Sequence, residues 1–212
     1  MSPAANNAPS PEYSIAPGFI RCLAPFDLPA LDAQADTVFA LDAELRLAFL
    51  NREWFAFADA NGGSPAIARD WGLGRCVLEA CPPILRSFFE DAYSTAIRLG
   101  RVWEHDYECS SPGRYRLHRL TAYPLPDRAG LLVVHARIVS RPYEQYGPAF
   151  PALGYAAYRD EHGFVHQCSH CRKTKRIGSV DQWDWVPDLV SSPLDDTSHA
   201  LCTACLDFYY PG

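Results

Sequence analysis

Long apolar runs and a basic excess are both missing from this chain of 212 residues. No window approaches the run of about eighteen apolar residues that a membrane-spanning helix needs, so we expect no membrane span. The formal net charge is -6. A protein that mainly holds a phosphate backbone usually carries a clear positive excess, so nucleic acid is not the partner we expect. The first residues lack the basic and apolar stretches of a secretory signal, which predicts a cytoplasmic protein.

Patterns of catalytic sites are missing as well. Nothing resembles a hydrolytic triad, a phosphate-binding loop or a pair of catalytic carboxylates, so we predict no enzymatic activity. Nothing resembles a kinase, receiver or cyclase segment either. We therefore expect any output to pass through a protein partner or through self-association, with a homodimer as one form of it.

The hydrophobic pattern predicts a mixed α+β domain over residues 27–141. Two apolar runs around a turn at Asp42 and Ala43 predict a hairpin, and apolar residues every three or four positions from Pro83 to Gly100 predict a long helix. Three strand candidates follow, over residues 101–110, 114–125 and 130–139. In the last of them, His135 and Arg137 are expected to face away from the core.

The remaining parts of the chain differ in composition from this domain. Residues 1–26 are rich in Pro, Ala, Asn and Ser and are predicted to be disordered or extended. Residues 142–160 are rich in Pro, Gly and Tyr and are interpreted as a linker. Residues 161–212 are predicted to form a small tail of their own.

The order of elements from residue 36 to residue 140 resembles a PAS domain. Asn51 directly after the second strand, "LGR-V" at residues 73–77 and "YPL" at residues 123–125 match that family's loose pattern. The resemblance implies a five-stranded antiparallel sheet with helices on one face, which cup a ligand or an apolar core. It also implies a sensor or interaction module of signal transduction.

Two C-x2-C pairs dominate the tail. Cys168 and Cys171 form the first, Cys202 and Cys205 the second, and thirty residues separate them. Four thiolates brought together suit tetrahedral Zn(II), and four protein ligands leave no position for a reacting water, so we predict a structural zinc site. The tail resembles a short cysteine-rich segment found after PAS or receiver domains in bacterial signalling proteins, which implies a zinc-ribbon or knuckle-like fold.

Other interpretations of the first pair remain open at this point. A thioredoxin-type dithiol would need Cys168 and Cys171 to open a helix after a strand in a βαβ unit, and it would leave the second pair without a role. His199, three residues before Cys202, is a candidate to replace one thiolate or to hydrogen-bond to it.

A basic run follows the first pair, formed by Arg172, Lys173, Lys175 and Arg176. It could reach phosphates, which would make the protein a zinc-ribbon transcription regulator. Residues 160–212 nevertheless hold four basic residues against eight acidic ones. We interpret the run as charge that balances the thiolates, and contact with a partner stays open.

The sequence gives little support to an organic cofactor. Haem-binding PAS domains place an axial histidine on or near the long helix, and residues 83–100 contain none. His105 and His118, on neighbouring strands, are the remaining candidates. Cys76 in "GRCVLEA" is a near miss to the flavin-linked cysteine motif of PAS photoreceptors, but the flavin-holding residues of that motif are absent. We therefore expect Zn(II) and no organic cofactor.

Overall fold

The computed structural model describes residues 13–110, 113–142 and 154–210. Predictions for residues 1–12 and 143–153 lie outside that part of the chain. Ten strands are described: β1 (Ser14–Ile15), β2 (Thr37–Asp42), β3 (Leu47–Leu50), β4 (Trp103–Glu108), β5 (Arg114–Pro124), β6 (Gly130–Pro142), β7 (Val165–Cys168), β8 (Thr174–Lys175), β9 (Trp183–Asp184) and β10 (Thr197–Ala200). The α-helices are α1 (Leu28–Asp32), α2 (Arg52–Ala60), α3 (Ala66–Asp70), α4 (Arg86–Leu99), α5 (Pro187–Ser191) and α6 (Thr203–Tyr209).

The larger sheet has six strands in the order β1-β3-β2-β6-β5-β4. Strand β2 pairs antiparallel with β3 and with β6, where Val38 lies opposite Val134. The mixed α+β class and the antiparallel sheet are therefore confirmed. The sixth strand is β1, which pairs with β3 at the edge and comes from the segment before the predicted domain. In that segment Phe19 and Leu23 are buried.

The central strand β2 is buried on both faces, and this departs from one prediction. Val38 packs with Phe19 and Leu23 on one face, while the Phe39 ring lies 5.3 Å from the ring of Trp54 on α2. Phe39 also lies 5.3 Å from the ring of His135. The expectation that His135 faces away from the core was wrong, because the face it occupies is covered as well.

Asn51 fixes the junction between β3 and α2. Its Oδ1 accepts hydrogen bonds from the Val38 N–H at 3.0 Å and from the Trp54 N–H at 3.2 Å. Its Nδ2 donates to the Asp36 carbonyl at 2.9 Å. The side chain is fully buried, so one residue caps the helix and ties it to the sheet.

The long helix predicted from residue 83 to residue 100 is confirmed. A 3-10 turn over Pro83–Leu85 leads into α4. Gly100 ends the helix with a φ of 62°, a left-handed conformation that glycine adopts without strain.

The chain divides into two compact units. The first comprises residues 1–80, 92–103 and 121–135, and the second comprises residues 81–91, 104–120 and 136–212. The second unit therefore includes the tail, most of β4 and the first half of β5. The boundaries given from the sequence at residues 26, 141 and 160 stay a prediction.

The tail has its own four-stranded sheet, in the order β10-β7-β8-β9. Strand β10 runs parallel to β7, whereas β8 pairs antiparallel with both β7 and β9. One apolar cluster of the tail consists of Tyr158, Val165 and Leu189. Across the parts of the chain that the structure describes, no helix combines the length and the hydrophobicity needed to cross a membrane.

Candidate metal centre

The first cysteine pair lies on a tight turn at the end of β7. The Cys168 N–H donates to the Lys173 carbonyl at 2.7 Å, and the Arg172 N–H donates to the Cys168 carbonyl at 3.0 Å. Arg172 closes the turn with a φ of 62°, in the left-handed region. This hairpin turns the side chains of Cys168 and Cys171 towards one another, and both are buried.

The second pair lies at the start of α6. Cys202 is the residue before the helix, and its carbonyl accepts from the Leu206 N–H at 2.8 Å. Cys205 therefore follows within the first turn, so its side chain and that of Cys202 lie on the same side of the backbone. Cys202 is buried and Cys205 is half-buried.

Parallel pairing of β10 with β7 brings the two pairs together. Ala200 lies opposite Cys168 in this register, and the Ser169 N–H donates to the Ala200 carbonyl at 2.7 Å. The Cys202 N–H then donates to the Cys168 sulfur at 3.4 Å. Residues more than thirty positions apart are thus held by backbone hydrogen bonds.

The four sulfur atoms form one cluster, in which all lie within 4.8 Å of one another. The Sγ atoms of Cys171 and Cys202 are 3.7 Å apart. A tetrahedral centre with metal–sulfur bonds of about 2.3 Å has sulfur atoms about 3.8 Å apart. The cluster therefore fits a tetrahedral metal ion, and its four cysteines can hold one.

Electrostatics favour the same interpretation. Hydrogen bonds from Cys171, Cys202 and Cys205 lower the pKa of Cys168, which favours its thiolate. Contact with the Cys168 sulfur is the largest cause that raises the pKa of Cys171 and of Cys205. At Cys205 the contact with Cys171 acts in the opposite direction. Four thiolates this close repel one another unless a cation compensates them, and a bound divalent ion supplies that charge.

The redox interpretation needs a C-x2-C pair that opens a helix after a strand, and the second pair meets this requirement, whereas the first does not. Cys202 and Cys205 do open a helix after a strand, and a helix N-terminus favours a thiolate. However, the sulfurs of the first pair belong to the same cluster, and all eight cysteines are free thiols. A dithiol couple uses two sulfurs, so it leaves the other two unexplained.

His170, inside the first knuckle, links the cluster to aromatic side chains of the same unit. Its Nδ1 lies 2.8 Å from the Tyr209 hydroxyl, and its ring lies 5.9 Å from the ring of Tyr107. The Tyr209 ring in turn lies 4.8 Å from Phe88 and 5.0 Å from His105. A cavity of about 190 Å³ borders Cys171, Cys205 and the rings of Tyr107, His170 and Tyr209.

The three histidines proposed as ligands from the sequence lie in different surroundings. His199 is exposed on β10. His105 and His118 are buried on the neighbouring strands β4 and β5. Burial lowers the pKa of His105 to about 4, so its ring is neutral at physiological pH. Whether any of the three binds a metal or a cofactor stays a prediction.

The basic run does not form one continuous face. Arg176 is half-buried in an ion pair with Asp184, with Nη2 and Oδ2 2.7 Å apart. Lys173 and Lys175 are half-buried, and Arg172 is exposed. Because Asp184 neutralises Arg176, fewer charges are available to a phosphate backbone than the sequence suggested.

Tyr209 and Asp184 are the functional residues that sequence reasoning missed. Tyr209 is the first tyrosine of the closing "YYP", and it contacts His170. Asp184 stands between two tryptophans in "WDW", and its partner lies eight positions away. An aromatic residue near a helix C-terminus and an acid between aromatics are weak signals without the fold.

Together, the sheet, its helices and the cysteine cluster define an α+β domain with a tail whose four cysteines can hold a metal ion. The chain belongs to the PAS fold family, which it matches over residues 31–144. Those residues are more than half of its length, and the resemblance drawn from the element order is confirmed. None of the curated proteins compared with the chain matches it.

Proposed function

We propose that this protein is a non-catalytic PAS-type sensor or interaction module of bacterial signal transduction, stabilised by structural zinc in its tail. The observation that carries the zinc half is the cluster of four cysteine sulfurs within 4.8 Å of one another. The PAS fold over residues 31–144 supports the sensor half.

Zinc is the metal that suits this ligand set. Thiolates are soft ligands that favour Zn(II) over calcium or magnesium, and Zn(II) accepts a tetrahedral arrangement without electronic penalty. Cys168, Cys171 and Cys202 are buried, so the centre is closed to a reacting water. Zinc bound there would hold the two cysteine turns together and supply no chemistry of its own. Free thiols also suit the reducing cytoplasm, where we place the protein.

Contacts inside the second unit could transmit a structural change from strand β4 to the tail. His105 on β4 lies 5.0 Å from the rings of both Phe208 and Tyr209 on α6. The Tyr210 hydroxyl donates to the Ile84 carbonyl at 2.8 Å. A ligand or partner that displaces the aromatic rings around His105 would therefore shift α6, which begins at the second cysteine pair.

This arrangement gives the module an output that needs no enzyme. Leu206 and Phe208 are exposed on α6, so a shift of this helix changes the surface offered to a protein partner. A zinc-ribbon transcription regulator is the weaker alternative, because Arg176 is committed to Asp184.

Metal analysis and the absorption spectrum of the purified protein test the proposal together. We expect about one zinc per chain, as a four-thiolate site requires, and no haem or flavin band in the visible spectrum. A chain that is fully folded without metal would overturn the zinc half. One haem or flavin per chain would show that the sensor carries an organic cofactor, contrary to the proposal.

A second measurement tests the route from sheet to tail. In Tyr209→Ala, amide hydrogen exchange should accelerate in β4 as well as in α6, because the ring that joins them is gone. The matched control is Tyr155→Ala, which removes an exposed tyrosine of the same unit. Faster exchange confined to α6 would show that Tyr209 does not couple α6 to β4.

A further inference from the structure

Arginines gather at one end of β5 and β6. Arg114 and Arg116 are two residues apart on β5, so their side chains lie on the same face of the strand. Arg114 Nη1 donates to the Ser140 hydroxyl on β6 at 3.0 Å, which places the two strand ends side by side. Arg137 on β6 acts electrostatically on Arg116, so it lies close by.

A fourth arginine reaches the same place from the tail. The Cys109 N–H donates to the Arg116 carbonyl at 3.0 Å, so Cys109 lies opposite Arg116. Arg116 and Arg172 both pull the pKa of the Cys109 thiol down, against the larger effect of burial. Arg172 therefore lies near Cys109 too, on the turn that carries the first cysteine pair.

Two arginines of this cluster, Arg116 and Arg172, differ in their partners from other arginines of the second unit. Elsewhere in the second unit, Arg119 pairs with Asp106 at 2.7 Å, Arg176 pairs with Asp184, and Arg159 pairs with Asp196. Within the described part of the chain, the side chains of Arg116 and Arg172 form no ion pair with a carboxylate. Glu108, whose charge also acts on Cys109, accepts from the Ser110 hydroxyl at 2.8 Å.

Grouping these charges is unfavourable for the fold alone. Arg116 is partly buried, and burial together with repulsion from Arg114 and Arg137 lowers its pKa. Charges of one sign held together raise the local concentration of anions and are stabilised when an anion binds. Perturbed groups of this kind are enriched at functional sites.

We propose that Arg114, Arg116, Arg137 and Arg172 form a binding site for a small phosphate-bearing molecule. A planar guanidinium matches two oxygens of a phosphate group with two N–H donors. Several guanidinium groups close to one another suit an oxyanion with two or more charges better than a single carboxylate.

Nucleic acid fits the site less well than a small ligand. A phosphate backbone needs a basic stripe along several repeats of its length, whereas this cluster is local and the surrounding tail is acidic. Arg176, which could have extended the stripe, is paired with Asp184. Because Arg172 adjoins Cys171, an anion bound at this site on β5 and β6 would also contact the turn that carries the first cysteine pair.

Pyrophosphate is the probe for a calorimetric titration of the zinc-loaded full chain at low ionic strength. We expect saturable binding of pyrophosphate, weaker binding of inorganic phosphate, and much weaker binding of acetate. Arg116→Gln and Arg172→Gln should each weaken pyrophosphate binding about tenfold or more, since each removes a charge-assisted hydrogen bond. The matched control, Arg101→Gln, removes an exposed arginine outside the cluster and should change binding less than about twofold.

Three results would overturn the proposal. The first is that pyrophosphate fails to bind, and the second is that Arg116→Gln and Arg172→Gln bind it as tightly as the unchanged protein. An equal loss of pyrophosphate affinity in Arg101→Gln would show that the protein attracts anions through its overall charge rather than at this site. If a duplex oligonucleotide bound more tightly than pyrophosphate, and if Arg116→Gln weakened that binding, the cluster would be a nucleic-acid site instead. Zinc content and an amide NMR spectrum are recorded for each variant; if Arg116→Gln is misfolded, Arg172→Gln decides, because its side chain is exposed.

Discussion

The first unit and the tail are stabilised by different means. In the first unit, β2 contributes four consecutive buried residues, from Val38 to Leu41, and every residue of β3 is buried. In the described part of the tail, two apolar clusters contain three buried residues each, and one of those clusters is the cysteine group itself. The contrast shows where hydrophobic burial is sufficient and where another source of stability is needed.

The tail has little apolar surface to bury because it is short. A segment of about fifty residues rarely forms a sufficient core alone, and metal binding then contributes folding free energy directly. The first unit needs no such support. Predictions that separate the two regions therefore test this account best.

The largest effect is expected from Cys168→Ser in the tail. Cys168 is fully buried, and a structural zinc centre is worth on the order of 10 kcal/mol of folding free energy. Zinc content should fall close to zero, and amide exchange should become fast throughout β7 to β10. Exchange in β2 and β3 should stay slow, as measured by mass spectrometry.

Cys22→Ser is the matched control, because Cys22 is a half-buried thiol outside the cluster. It should keep its zinc and the slow exchange of the tail. If Cys168→Ser kept a protected tail, the cysteines would not be what holds that region together.

Phe39→Ala should have the next largest effect, and in the other region. Removing a buried phenylalanine costs about 3–5 kcal/mol, and Phe39 packs between Trp54 and His135. Chemical denaturation should show this loss while the protein still binds zinc. Tyr123→Ala, at an exposed position of β5, should cost less than about 1 kcal/mol; a similar cost at both positions would argue against a packed core on this face.

Asn51→Ala should cost about 2 kcal/mol, because it removes a helix cap and leaves buried N–H groups without an acceptor. The side chain accepts from Val38 and Trp54 and is fully buried. Asn61→Ala is the control, since Asn61 is exposed and its side chain donates to the Phe57 carbonyl of its own helix. Equal changes in the denaturation midpoint would contradict the role given to Asn51.

The smallest effect is a pH dependence from His105. Its pKa is about 4 in the folded protein, below the ordinary value of 6.5, so the unfolded chain takes up the proton first. The free energy of unfolding should therefore be constant above pH 6.5 and fall below it, by up to about 1 kcal/mol per pH unit. Burial causes most of the shift; the charge of His170 adds to it, and that of Asp106 opposes it.

His105→Gln should reduce this slope between pH 6.5 and 5.5 without removing it, because burial also lowers the pKa of His170 to about 4. His162→Gln, at an exposed histidine, should leave the slope unchanged. Zinc content is measured at each pH, so that loss of metal is not mistaken for protonation of His105. An unchanged slope in His105→Gln would show that another group titrates.

Local features of the fold were predictable from the sequence. The apolar period of α4, its glycine stop and the hairpin of β2 and β3 depend on neighbouring residues, and the structure confirms them. The spacing of the four cysteines likewise predicted that their sulfur atoms lie close together, because the ligands of one metal ion must converge regardless of the fold of the residues between them.

Features that depend on distant partners were not predictable. His135 was placed on an outer face, since one strand does not reveal that both of its faces are covered. The different surroundings of the four basic residues were not predicted, because neither the left-handed turn at Arg172 nor the partner of Arg176 is visible locally. The parallel pairing of β10 with β7 joins residues about thirty positions apart and leaves no local signature.

The most direct test of the account is chelation of the purified protein, followed by amide hydrogen exchange. Zinc should leave in an amount of about one per chain, as four thiolates require. The tail strands should then exchange quickly while β2, β3 and β6 stay protected, and zinc addition should restore the tail. A tail that stays protected without metal, or a sheet that loses its protection with it, would contradict the division of the molecule into a hydrophobically stabilised region and a metal-stabilised one.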